Sequence, residues 1–132
     1  MSNLAAVKML QDIAIDKAKG KIYIVSSLGV AVHVFDTDGK YICEFGSHKQ
    51  ESGGFSFPSS CAIDSHGRIW VTDSFQHSIK VFKEDGKFLF QWGKIGEGEG
   101  ELLFPVDIDF DSNGRLYVLE KGNSRVQVFA VE

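Results

Sequence analysis

Asp12, Ser60 and Asp107 bring two carboxylates and a hydroxyl to matching places along the chain, 48 and 47 residues apart. Hard oxygens gathered from separate segments are what Ca²⁺ takes as ligands, so Asp12 and Asp107 are the candidate metal residues. The remaining metal-binding side chains are dispersed. His33, His48, His66 and His77 show no ligand spacing, and Cys43 and Cys61 form no Cys-x-x-Cys pair. Both cysteines read as buried free thiols. Nucleophilic chemistry has no signature, since no Gly-x-Ser-x-Gly elbow occurs. Gly96, Gly98 and Gly100 imitate a phosphate loop, but no Lys-Ser or Lys-Thr follows, and Glu97, Glu99 and Glu101 would repel an anion. No residue is therefore assigned as catalytic, Asp12, Ser60 and Asp107 read first as structural or solvated, no cofactor is expected, with Ca²⁺ at that oxygen set the alternative, and the chain leans away from being an enzyme.

What must position these residues is a repeat. Gly20, Gly67 and Gly114 recur every 47 residues, as do Phe35, Phe82 and Phe129, and Pro58 with Pro105. The same frame aligns Gly20-Lys21-Ile22-Tyr23-Ile24-Val25 with Gly67-Arg68-Ile69-Trp70-Val71-Thr72 and Gly114-Arg115-Leu116-Tyr117-Val118-Leu119. Periods of about 20–50 residues mark stacked or radial folds. In the second copy, β-like runs at about 58–63, 68–72, 78–82 and 87–92 are punctuated by hairpins ending in Gly67 and Gly86. Asp16, Asp64 and Asp111 close the first run of each copy and are expected to hold turn amides. With 14 Gly, 11 Phe and only 2 Pro, the composition suits short strands and tight turns. Four antiparallel strands per copy is the form of a propeller blade, so the expected fold is an all-β propeller of four-stranded antiparallel blades, three per chain. The nearly uniform apolar run Phe88-Leu89-Phe90-Gln91-Trp92 expects cover on both faces. His33, Lys80 and Gln127 share one strand position and read as facing solvent.

The repeat resembles the NHL family over about residues 10–130. The resemblance rests on Phe57-Pro58, Ala62-Ile63-Asp64, Gly67 to Asp73, Gln76-His77-Ser78-Ile79-Lys80-Val81-Phe82, Asp85-Gly86 and Trp92-Gly93, with Asn123 to Phe129 in the third copy. It implies a ring of about six blades, of which this chain carries half. The expected layout is one domain over 1–132, with blade 1 at about 9–46, blade 2 at about 57–93 and blade 3 at about 104–132, lacking its fourth strand. Large apolar faces are seldom left open on a soluble protein. Either a two-fold homodimer closes a six-bladed ring, or the chain is a fragment of a longer one. A donated outer strand from around Ser2 to Lys8 is a poor fit, because that segment is shorter than the return loops 46–58 and 93–105. The function implied first is a non-enzymatic binding scaffold with a protein partner. A metal-dependent lyase or hydrolase with Ca²⁺ or Zn²⁺ at the channel mouth, and an RNA-binding NHL domain, are the alternatives.

In a propeller the long return loops and the turns between second and third strands share one face, and loops on a rigid scaffold are where binding resides. The candidate contact residues there are Phe75, Gln76, His77, His48, Lys121 and Arg125. Phe75 is the most testable of them: as an aromatic in a turn between strands it reads first as packing on a neighbouring loop, and otherwise as the anchor for a partner. Asp73 with His77, and Glu120 with Arg125, are expected to pair across that turn. The balance of 14 basic against 18 acidic residues, net −4, argues against nucleic acid as a partner. No apolar run reaches the roughly 18 residues of a membrane span and the start lacks a secretion signal, so a cytoplasmic protein without a membrane partner is expected.

Overall fold

The computed structural model describes residues 9–28, 31–47 and 53–131. His48 and the Ser2–Lys8 segment lie outside the described residues. Eleven strands occur among the described residues: β1 Leu10–Asp16, β2 Lys21–Ser26, β3 Ala31–Asp36, β4 Tyr41–Phe45, β5 Pro58–Ile63, β6 Ile69–Asp73, β7 Ser78–Phe82, β8 Phe88–Trp92, β9 Pro105–Phe110, β10 Leu116–Glu120 and β11 Arg125–Phe129. They form three antiparallel meanders, β1 to β4, β5 to β8 and β9 to β11, each in chain order. These are propeller blades, and the β-propeller fold expected from the repeat is the fold observed. Among the described residues no helix is long and apolar enough to cross a membrane.

The hairpins follow from the aspartate that opens each turn. The Asp64 carboxylate accepts the His66 and Arg68 N–H groups at 2.8 and 2.9 Å, while the Gly67 N–H returns to the Asp64 carbonyl. Gly67 stands at φ 78°, where a Cβ would be strained. Asp111 repeats the motif with Asn113 and Arg115, and Asp16 receives the Lys19 N–H. The turn role expected of these three aspartates is the one they perform.

Two inter-blade cores hold the blades together. Tyr23, Val25, Val32 and Val34 of blade 1 meet Cys61, Ile69, Val71 and Phe82 of blade 2. On the far side of blade 2, Ala62, Trp70, Ile79 and Val81 meet Ile108, Leu116 and Val118 of blade 3. Cys43 and Cys61 are free, and burial pushes both thiols above their ordinary range, so neither is poised as a thiolate.

The structure corrects two expectations. The outer strand β8 is not covered on both faces, because Leu89 and Phe90 are 37% and 39% exposed. Phe82 pairs with Phe88 and Val81 with Phe90, so Leu89 is an extra, bulged residue. The bulge sends Phe88 to the seam with blade 1 and leaves Trp92 against Phe129 of blade 3, ring centroids 4.7 Å apart. Lys80 does not face solvent either; it is 2% exposed. The return loop before blade 2 folds Phe55 over it, 5.8 Å from ammonium to ring centroid. The ammonium donates to Gln76 and to Gln91 Oε1. Burial holds its pKa below the usual lysine range, against the pull of Asp73.

Candidate functional site

The loop face is built from two matching clamps. Asp73, at the end of β6, is fully buried and accepts the amides of Ser56, Phe57, Phe75 and Gln76 at 2.7–3.1 Å. One carboxylate thus ties the incoming return loop to the β6–β7 turn. Glu120 does the same work at the end of β10. It is fully buried and accepts the Leu103 N–H, Asn123 Nδ2, Arg125 Nε and Gln127 Nε2. Arg125 then reaches the carbonyls of Glu97, Gly98 and Glu101, each at 2.9 Å.

These clamps set the fate of the candidate contact residues. Gln76 spends its amide on the Gly54 carbonyl and Ser56 Oγ. Arg125 pairs with Glu120 at 2.8 Å, as expected. His77 takes another partner: its Nδ1 accepts the Phe104 N–H at 2.9 Å, which leaves the ring proton on Nε2 in the neutral form. Lys121 is exposed at the tip of the β10–β11 turn.

Phe75 is 56% exposed, yet its ring lies between Phe57 and Phe104 at centroid distances of 4.8 and 5.7 Å. His77 adds an edge against Phe104 at 6.4 Å. The packing of Phe75 on neighbouring loops is the one its turn position favours, and its partners are the phenylalanines of the two Phe-Pro pairs that lead into β5 and β9. The backbone of this platform is also strained. His77 and Phe104 sit at φ 51° and 53°, a region that side chains with a Cβ seldom occupy, and their counterparts Ser124 and Met9 stand at 50° and 54°, so this backbone belongs to the repeat.

Asp12, Ser60 and Asp107 come together on the innermost strands. Registers slip at Gln11, Ser59 and Val106, one bulge on the innermost strand of each blade, and the bulge aims the following side chain at its neighbours. Ser60 Oγ lies 2.7 Å from Asp12 Oδ2 and 2.7 Å from Asp107 Oδ1. The hydroxyl has one hydrogen, so the two acids compete for it. Among the described residues no three His, Cys, Asp or Glu side chains converge as a metal-binding group.

Burial by itself would raise the Glu120 carboxyl, but donors from Arg125, Asn123, Gln127 and the Leu103 N–H outweigh it and hold the group below its ordinary value. Asp64 behaves alike: burial raises it, and Trp70, Arg68 and the His66 N–H bring it down. A carboxyl whose pKa is depressed by folding contributes stability above its unfolded value of about 4 and loses it as pH falls through the folded value. The urea midpoint is therefore expected to fall between pH 5 and pH 3 by these groups' share, and Glu120→Gln is expected to flatten that slope.

Comparison with known proteins places this geometry. No curated protein matches the sequence significantly. Among solved structures, a protein of unknown function from Bacteroides thetaiotaomicron matches with TM-score 0.76 and 18% identity, over 91% of this chain and 34% of its own. A catalytically inactive virginiamycin B lyase from Staphylococcus aureus, solved with quinupristin, matches with TM-score 0.67 and 21% identity, over 92% of this chain and 41% of its own. The WD40 propeller domain of Doa1 matches with TM-score 0.69 and 18% identity, over 93% and 37%. At these identities the likeness is one of fold, and the chain spans well under half the length of each neighbour. A family model described as a 6-bladed beta-propeller, DUF5128, matches residues 59–132, more than half of the sequence, and the chain belongs to that family.

Proposed function

We propose that the chain supplies half of an NHL-type six-bladed ring that works as a protein-binding scaffold, with the loop face as its contact surface and a homodimer as its closed form. One observation carries the binding reading. Phe75 is more than half exposed, on a platform of two further phenylalanines that buried carboxylates and strained backbone hold in place. A rigid aromatic that loses little side-chain freedom on binding is the usual centre of a protein contact.

His77 Nε2–H and exposed Lys121 flank the platform as polar contacts for a partner's carbonyls or carboxylates. Gln76 and Arg125 serve the surface from beneath by fixing its loops.

The test is capture of proteins from cell extract by the immobilised chain. Phe75→Ala is expected to lose specific partners while keeping its unfolding midpoint, and Leu89→Ala, on the outer strand, is expected to keep them. Equal capture by both variants would remove the loop-face reading.

A further inference from the structure

Both inter-blade seams join the same two kinds of face. One is the forward face, with Tyr23, Val32 and Val34 in blade 1 and Trp70, Ile79 and Val81 in blade 2. The other is the receiving face, with Ile69, Val71 and Phe82 in blade 2 and Leu116 and Val118 in blade 3. The 47-residue frame maps the forward face of blade 3 onto Tyr117, Val126 and Val128, and Leu119 lies beside them. Leu119, Val126 and Val128 are 44–55% exposed. The receiving face of blade 1 is Ile13, Ile15, Ile22, Ile24 and Phe35; Ile24 and Phe35 are already buried within the blade, and Ile13 and Ile15, 54% and 52% exposed, are its open part.

A polar stitch accompanies each seam. Asp12 Oδ2 on blade 1 accepts the Cys61 N–H at 3.0 Å, and Ser60 Oγ on blade 2 accepts the Ile108 N–H at 3.3 Å. Asp107 occupies that place on blade 3, and the matching amide of a receiving blade is that of Ile13. The two open faces thus continue an interface the chain already builds twice.

We propose that a second copy docks its receiving face on this forward face, and reciprocally, and that an acidic pair at the seam sets how tightly the ring closes. This rests on the homodimer reading given above. Two copies of these three blades supply the six of the family's ring, and a two-fold arrangement closes both seams at once. Along the inner strands the contacts alternate carboxylate, hydroxyl, carboxylate through Asp12, Ser60 and Asp107. At the closing seam the same geometry sets Asp107 against the partner's Asp12, carboxylate to carboxylate. Asp109 adds a second charge where blades 1 and 2 carry Ala14 and Ala62. Like charges brought together at an interface weaken it. The two acids therefore hold the dimer at modest affinity, and ring closure answers to protein concentration.

Sedimentation velocity on the full chain over a wide concentration range tests this. The wild type is expected to show a concentration-dependent dimer. Asp107→Ser, which restores the hydroxyl of Ser60 at this position, is expected to tighten it about tenfold or more, and Asp109→Ala to act in the same direction. Val126→Arg, at a half-exposed position, is expected to stay folded by circular dichroism and remain monomeric. A wild-type dimer that neither acid variant tightens would overturn the acidic brake and leave the homodimer standing. A monomer at every concentration for wild type and Asp107→Ser would overturn the second copy as occupant, and the homodimer with it.

Discussion

Phe82→Ala is expected to lower the unfolding free energy by about 3–5 kcal/mol, the usual cost of removing a fully buried aromatic ring. Phe82 has no exposed surface and touches three other rings, with centroids at 4.7 Å from Phe45, 5.6 Å from Phe55 and 5.6 Å from Phe88. These rings come from the outer strand of blade 1, a return loop and the outer strand of blade 2. The cavity would therefore open at the junction of all three, where collapse in one direction strips contacts in another. Gly53 shows how closely the site is filled, since a Cβ there would meet Phe88 at 2.6 Å and Phe82 at 3.0 Å. Denaturant titration of the two proteins reads the difference. A loss below about 1 kcal/mol would mean that the blade 1–blade 2 seam is loosely packed.

The same residue shows what the sequence makes legible. Phe35, Phe82 and Phe129 are visible as a repeat because each lies at or beside the end of a third strand, and aspartate and glycine mark the hairpins after Phe35 and Phe82 whatever surrounds them. Strand spans in blade 2 follow from that punctuation to within a residue, since a hairpin fixes its own register. Lys80 fails for the opposite reason. Its cover, Phe55, lies 25 residues upstream in an irregular loop with no period of its own, so an apparently wet position is dry. The bulges at Gln11, Ser59 and Val106 are also invisible to alternation. Without them the position of Asp12, Ser60 and Asp107 on the inner strands can be read from the alignment, but not their contact. His77 is a candidate by type, yet its partner is a main-chain amide of the next return loop, which has no side-chain signature.

Glu120→Ala is expected to cost about 3 kcal/mol or more, because it takes a buried charged acceptor from Arg125, Asn123, Gln127 and the Leu103 N–H at once. Glu120 is fully buried and the Arg125 side chain is 29% exposed, so the guanidinium recovers only part of its hydration when the carboxylate is gone. Gln127 Nε2 and the Leu103 N–H lose their acceptor in the same step. The effect should spread along the chain, since Arg125 holds the Glu97, Gly98 and Glu101 carbonyls and Gln127 also donates to Glu101. Limited trypsin digestion is expected to cut the variant first at Lys94, at the base of that loop, while wild type resists. Arg125→Ala should cost less, because the carboxylate it leaves behind keeps Asn123, Gln127 and the Leu103 amide as donors. If the two variants lose equal stability and Lys94 stays protected in both, the clamp does not bear on the loop. If Glu120→Ala loses more and the loop opens, the platform at Phe104 rests on Glu120 through the return loop that carries it.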